Sequence, residues 1–107
     1  MNYRIEENTA AVEIEGELDH HSLRGISLEL QRIIDTCLPK TLVLDLRNVR
    51  FMDSSGIALV IGCTRKMSEL NGRVILRNVP AQPMKVFDAA GVTRLVAVET
   101  TGRLVQG

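Results

Sequence analysis

Apolar and polar residues alternate in two short runs near the start of the chain. In residues 3–5 and 12–14, Tyr, Ile and Val alternate with Arg and Glu. A period of two is typical of strands that are buried on one face. Glu7 and Asn8 between the runs suit a turn, and Gly16 is predicted to end the second run. We therefore expect an antiparallel hairpin at this point.

From Ser22 onward the spacing of apolar residues lengthens to three and four, which predicts an amphipathic helix. Pro39 is expected to close this helix because proline cannot continue it. The compact apolar run 42–44 then predicts an interior strand covered on both faces. Residues 48–53 are interpreted as a connecting loop that leads into the next helix.

The rest of the chain repeats this order of elements with shorter segments. They are a helix from about Ser54 to Asn71-Gly72, a strand at 74–76, a short helix from Pro80 or Pro83 to Gly91 and an edge strand at 95–98. Helices that alternate with apolar strands in this way indicate an α/β domain.

We expect a single domain over residues 1–107, with its core at about residues 2–99 and a short C-terminal tail. Its sheet should be mixed and mostly parallel, with four to five strands that include the N-terminal antiparallel hairpin. Three to four helices should pack on this sheet.

Two segments of the chain are predicted to meet at the carboxyl end of the sheet. Right-handed crossovers bring the segments that leave successive parallel strands to the same end, and residues 16–21 and 48–54 are such segments. α/β proteins commonly place their function there. We therefore expect residues 16–21 to share one surface with the segment around Ser54.

Charge and composition exclude several classes of function. Lys and Arg number 13, as do Asp and Glu, and a net charge of zero argues against binding to nucleic acid or to an anionic membrane surface. The apolar run 57–61 is too short to span a bilayer, and the polar residues after Met1 indicate that no signal peptide is present. We expect a cytoplasmic protein in which Cys37 and Cys63 are buried free thiols.

The segment 53–56 lies where a loop enters a helix, and two compatible interpretations of it remain open. Ser54 or Asp53 can be the N-cap, whose side-chain oxygen accepts a backbone N–H. The Ser54 hydroxyl can also be an exposed phosphorylation site, because a helix N-terminus tolerates a phosphate. That phosphate would add about −1.5 to −2 charges near Glu17 and Asp19 and change partner binding more than the fold.

Catalysis and metal binding fit these residues less well. A hydrolase that used Ser54 as its nucleophile would need the first glycine of G-x-S-x-G, which residues 52–56 lack, although His20 and His21 leave a Ser-His-Asp arrangement open. Adjacent histidines seldom reach one ion together, so the pair is expected at loop or helix-entry positions. We expect no enzyme, no metal and no cofactor.

Two motifs of the chain together resemble those of a known family. These motifs are Phe51-Met52-Asp53-Ser54-Ser55-Gly56 and Gly16-Glu17-Leu18-Asp19-His20-His21. In this combination they are similar to the anti-sigma factor antagonist group of STAS domains, above all to its sporulation members in spore-forming Gram-positive bacteria. The resemblance extends to about Val98.

The resemblance implies a switch without catalysis by the antagonist itself. The unphosphorylated antagonist binds an anti-sigma factor that is also an ATP-dependent serine kinase, and a sigma factor is released. The kinase then phosphorylates the first serine of the motif, which is Ser54 here, and the pair separates. A serine phosphatase resets the switch. A monomer or weak dimer is expected, with no nucleic-acid or membrane partner.

The resemblance also assigns roles to individual residues. Ser54 is the phosphorylation site, and Asp53, Ser55 and Gly56 are its neighbours. A partner-binding surface follows from both motifs and the start of the second helix. It comprises Glu17, Asp19, His20, His21, Met52, Ile57 and Ala58.

Three departures from the family bear on partner choice. Ala58 stands where a second glycine is common, Cys63 stands where a basic residue often follows the helix glycine Gly62, and the C-terminal helix is curtailed after Thr100. The alternative function is that of a STAS domain in another regulatory or stress-signalling complex. A neighbouring kinase gene and sigma gene would favour the antagonist.

Overall fold

The computed structural model describes residues 1–99 of the chain. The elements in this part follow one another along the chain as five strands, three α-helices and a 3₁₀ turn. They are β1 (Asn2–Glu6), β2 (Thr9–Leu18), α1 (Leu23–Cys37), β3 (Thr41–Met52), α2 (Ser54–Glu69), β4 (Arg73–Arg77), α3 (Ala81–Ala89), the 3₁₀ turn Val92–Arg94 and β5 (Ala97–Glu99). The predicted α/β class is confirmed, with an N-terminal hairpin. The tail and the curtailed helix expected after Thr100 lie outside the described residues.

The five strands lie in the sheet in the order in which they occur along the chain. β1 pairs with β2 in antiparallel fashion, and the pairs β2–β3, β3–β4 and β4–β5 are parallel. Because each parallel crossover moves one strand further in the same direction, right-handed connections place α1, α2 and α3 on one face. That face holds the core, and the carboxyl ends of β2 and β3 lie side by side.

Alternate residues of the central strands form the sheet's half of the core. They are Ala10, Val12 and Ile14 in β2, Leu42, Leu44 and Leu46 in β3, and Val74 and Leu76 in β4. The run 42–44 was expected to be covered on both faces, but the helices cover only the face of Leu42 and Leu44, although Val43 on the other face is also buried. The helices add Leu30 and Ile34 from α1, Val60 and Met67 from α2, and Phe87 from α3. Each large side chain buried here contributes about 1.5–3 kcal/mol, and this packing holds the ends of β2 and β3 in place.

The predicted stop signals act where the sequence places them. Leu38 adopts a left-handed backbone with φ 47° after α1, and its N–H donates to Ile34 O at 2.9 Å. Pro39 follows and prevents another turn. Asn71 takes the same left-handed conformation after α2, with φ 57°. Pro80 is the N-cap of α3, so the earlier of the two predicted starts is confirmed.

Two boundaries around β2 and β3 were wrong. Gly16 does not end β2, which continues to Leu18, and residues 48–52 belong to β3 instead of a loop. The register moves from Glu13↔Asp45 to Glu15↔Asn48, so β3 carries an extra residue there, and it carries a second one before Phe51. Each such bulge reverses which side chains face inward, so the alternation that reveals a strand is lost. The last strand also begins later than predicted, at Ala97.

The two cysteines are free, as predicted. Cys63 is buried, and burial raises the pKa of its thiol to about 11. Cys37 is only half-buried, because it lies in the last turn of α1. Within residues 1–99, no helix is long and apolar enough to cross a membrane.

Candidate functional site

The predicted meeting of two segments occurs through strand pairing. Leu18 and Met52 are partners at the ends of β2 and β3, and Glu17 pairs with Phe51. The N–H of Asp53 donates to Leu18 O at 3.1 Å, which extends the contact past the last pair. We call residues 17–22 and 52–58 together the rim. The two halves of the rim form one surface because each half begins at the end of one of two paired strands.

The first half of the rim is a tight polar turn built on Asp19. Its Oδ1 accepts the N–H groups of His21 at 3.0 Å and Ser22 at 2.9 Å, and Ser22 Oγ donates to Glu17 O at 2.6 Å. The hydrogen bond from the Ser22 backbone is the main cause that lowers the pKa of Asp19. Asp19 was predicted as part of the partner-binding surface, and the structure adds that it holds the shape of the turn.

The second half of the rim begins with the N-cap of α2, which is Asp53 and not Ser54. The Asp53 backbone is extended, and its Oδ1 accepts the N–H of Ser55 at 2.7 Å. This bond is the largest cause that lowers the pKa of Asp53, and the N–H of His20 also contributes. Asp53 joins the two halves of the rim, because its carboxylate caps α2 and its backbone N–H donates to Leu18 O.

Ser54 is the first residue of α2, and its side chain is exposed at the rim. Ser55 is half-buried, and its N–H is bound by Asp53. Since the N-cap role falls to Asp53, the Ser54 hydroxyl is not needed to start the helix. The capping role and the exposed hydroxyl, which the sequence allowed at the same residue, therefore fall to two different residues, Asp53 and Ser54.

Gly56 lies directly against the end of β3. A Cβ at this position would be 2.2 Å from Met52 Sδ and 2.3 Å from Cγ, far inside contact distance. The first turn of α2 can therefore approach β3 only where a side chain is missing. Met52 was predicted to line the partner-binding surface, but its side chain is fully buried under this turn. Met52 consequently supports the site from below.

Gln82 is a residue of this region that the sequence reasoning missed. Its Oε1 accepts the N–H of Met52 at 2.9 Å, and its Nε2 donates to Met52 O at 2.8 Å. The side chain thus continues the pairing of β3 from the first turn of α3. No signal in the sequence indicated this, because the two residues are 30 positions apart.

Most of the remaining predicted residues lie at the surface of the rim. Glu17, His20, His21 and Ala58 are exposed, and Ile57 is half-buried. The charge of Asp19 opposes the lowering of the pKa of Asp53, so the two carboxylates are close enough to interact. The rim therefore carries concentrated negative charge beside Ser54, as expected.

The structure also locates two positions near the rim that the sequence reasoning did not place on the partner-binding surface. Phe51 was quoted only as part of a motif, yet 45% of its side chain is exposed beside the rim. Cys63, considered as a lost partner contact, is buried in α2. Ala58 and Gly62 are exposed and line a groove between α1 and α2, and the buried Cys63 lies at the same groove.

The fold and the rim together define a STAS domain, and this chain belongs to the STAS domain family. The family model matches residues 1–104.

Relatives within this family carry a more specific description. The chain is 34% identical to the anti-sigma F factor antagonist of Lysinibacillus sphaericus over 86% of this chain and 81% of that protein. It is 30% identical to the anti-sigma factor antagonist SpoIIAA in its unphosphorylated form, with a TM-score of 0.79 over 94% of this chain and 88% of that one. The phosphorylated form of the Bacillus cell fate determinant SpoIIAA has a TM-score of 0.68 at 30% identity, covering 94% and 93% of the two chains.

Proposed function

We propose that this chain is an anti-sigma factor antagonist that phosphorylation of Ser54 switches off. Its unphosphorylated form binds an anti-sigma factor with ATP-dependent serine kinase activity and releases a sigma factor. A serine phosphatase restores the active form. The observation that carries the proposal is the exposed Ser54 at the first position of α2, beside an N-cap that does not require its hydroxyl. The descriptions of the similar proteins support the same function.

Access decides between Ser54 and Ser55, the two serines of the second motif. A kinase must bring the γ-phosphate of ATP in line with the hydroxyl that it modifies. Ser54 is exposed, whereas Ser55 is half-buried with its N–H bound to Asp53. Ser54 is therefore the phosphoacceptor in this proposal.

The phosphate acts through charge. It adds about −1.5 to −2 charges at the start of α2, where the helix dipole and backbone N–H groups tolerate an anion. Asp53, Asp19 and Glu17 already make this part of the surface negative. We expect the fold to persist while an interface formed on the rim is weakened by repulsion between like charges.

The hydrolase alternative receives no support from the rim. A serine nucleophile needs a general base within hydrogen-bond distance. Within residues 1–99, no hydrogen bond joins Ser54 to His20 or His21, whose rings lie edge to face with centroids 5.7 Å apart. The carboxylate of Asp53, the candidate acid, accepts the backbone N–H of Ser55, and among the described residues no hydrogen bond joins it to a histidine ring.

The test needs an anti-sigma factor with serine kinase activity from the same organism, and the genes that neighbour the gene of this chain are the first place to search for it. After incubation with this kinase and ATP, fragment-ion mass spectrometry should place the phosphate on Ser54. Ser54→Ala should abolish labelling, and Ser55→Ala should retain it. A phosphate on Ser55 alone would contradict the assignment. If the kinase does not bind the unphosphorylated chain, the alternative of another regulatory or stress-signalling complex is favoured.

An aspartate at position 54 imitates the charge of the phosphate and tests whether that charge weakens binding without unfolding the chain. Ser54→Asp should bind the same kinase at least about tenfold more weakly, a loss of about 1.4 kcal/mol. Ser54→Asn has a similar shape without the charge and should bind much more tightly than Ser54→Asp. Circular dichroism should show both variants folded. Equal binding by the two variants would remove charge as the cause.

A further inference from the structure

β1 forms one edge of the sheet and, within residues 1–99, pairs only with β2. All five of its residues are exposed. Tyr3 and Ile5 pair with Val12 and Ala10 and so point to the helix-covered face, yet 46% and 44% of their surfaces remain open. An exposed edge strand with apolar side chains is a template for pairing with another strand.

The hairpin turn determines which backbone groups of β1 are free to pair. Glu6 and Thr9 flank a turn of two residues and form its closing pair. Pairs that exchange hydrogen bonds alternate with pairs that do not. Arg4 therefore directs its N–H and C=O toward β2, whereas Tyr3 and Ile5 direct theirs outward.

A second copy of β1 can meet these outward groups in three antiparallel, two-fold registers. They place Tyr3 opposite Tyr3, Tyr3 opposite Ile5, or Ile5 opposite Ile5. The first sets Arg4 against Asn2, and the second sets Arg4 against Arg4. Only the third places Arg4 of each copy opposite Glu6 of the other, twice by symmetry. Opposite charges stabilise cross-strand pairs, and like charges destabilise them.

We propose that this chain forms a weak two-fold dimer in which the β1 strands pair antiparallel about Ile5. The dimer joins two five-stranded sheets into one. It is weak because β1 has only five residues. The two-fold axis of the dimer passes beside Ile5, whose partner in β2 is Ala10. Ala10 lies about 26 Å along β2 from Leu18 at the rim. Both copies of Ser54 remain open, so the dimer does not depend on the proposed function.

Cysteine crosslinking tests which of the three registers the two β1 strands adopt. Residues opposite each other in a hydrogen-bonded antiparallel pair have Cα atoms about 5.5 Å apart, within the range of a disulfide. In a Cys37→Ser background, Ile5→Cys should crosslink to itself under mild oxidation. Tyr3→Cys would do so in the first register and Arg4→Cys in the second. Crosslinking of either of these in preference to Ile5→Cys, or of none of the three, overturns the proposal.

Charge variants test the same interface without a covalent bond. In sedimentation equilibrium, Arg4→Glu and Glu6→Arg should each weaken the dimer about tenfold. An equimolar mixture of the two variants should recover it, because every facing pair is again of opposite charge. Arg73→Glu, at the exposed start of β4, should have no effect. A chain that stays monomeric at millimolar concentration, or equal effects of Arg4→Glu and Arg73→Glu, would refute the proposal.

Discussion

At the scale of single residues, the rim depends on Asp53 as much as on the serine beside it. The Asp53 carboxylate caps α2 through Ser55, and the Asp53 backbone N–H donates to Leu18 O in the other half of the rim. Its charge is therefore a structural part of the site. Ser54 is left with an exposed hydroxyl because its neighbour performs the capping.

This role makes the stability of the rim dependent on pH. Hydrogen bonds from Ser55 and His20 hold the pKa of Asp53 below its ordinary value of 3.8. The resulting stabilisation is present above about pH 4 and is lost as the pH falls through the lowered pKa. In urea titrations at pH 7 and pH 3, Asp53→Asn should lose less stability on acidification than the unaltered chain. Glu13→Gln, on an exposed strand position, should behave like the unaltered chain.

Gly56 is the second residue whose identity the rim requires. Gly56→Ala should destabilise the domain by about 1–3 kcal/mol, because the new methyl group overlaps the buried Met52 side chain. Gly62→Ala is the matched control, since a Cβ there meets nothing within 4 Å. Urea unfolding of both variants measures the difference. Equal stability of the two would mean that Met52 moves aside at no cost.

At the scale of elements, helix ends and strand bulges place the functional residues. The two bulges of β3 allow a longer strand to end level with β2, so that Met52 faces Leu18. α3 then fixes the end of β3 through Gln82. The position of Ser54 therefore follows from where β3 ends.

The end of α1 contains strain that a substitution can remove. Leu38 has a left-handed backbone, and 59% of its side chain is exposed. Leu38→Gly should raise the free energy of unfolding by about 0.5–1 kcal/mol, since relief of the left-handed penalty exceeds the added entropy of glycine in the unfolded chain. Thermal unfolding tests this, and Leu28→Gly, inside α1, should instead lower the stability. A lower stability of Leu38→Gly would indicate that its apolar contacts outweigh the strain.

At the scale of the whole molecule, the protection of backbone amides against hydrogen exchange should decrease from the centre of the sheet to β1. β3 lies between two parallel neighbours and carries fully buried residues such as Leu42 and Leu44, whereas every residue of β1 is exposed. Hydrogen exchange of the monomer should be slowest in β3 and fastest at Tyr3 and Ile5, whose amides face outward. Slow exchange at these two amides that disappears on dilution would instead report pairing of β1. Slow exchange that persists on dilution would contradict the gradient.

The hydrophobic pattern was sufficient for most of the fold. Residues 12–14, 42–44 and 74–76 were recognised as strands because each has an apolar face or is buried throughout. The pattern failed at residues 48–52, where the bulges interrupt the alternation. It also placed Met52 at the surface, since an apolar side chain next to a functional motif does not reveal which way it points.

By itself, the sequence determined the α/β class, the serine at the start of a helix and the meeting of two segments at the carboxyl end of the sheet. Local signals suffice for these features, because periodicity, capping residues and crossover handedness act over short stretches or follow general rules. Only the tertiary structure decided that Asp53 is the cap, that Gly56 must be glycine and that Gln82 binds Met52. These depend on contacts between residues that the bulged register and the packing of α2 and α3 bring together.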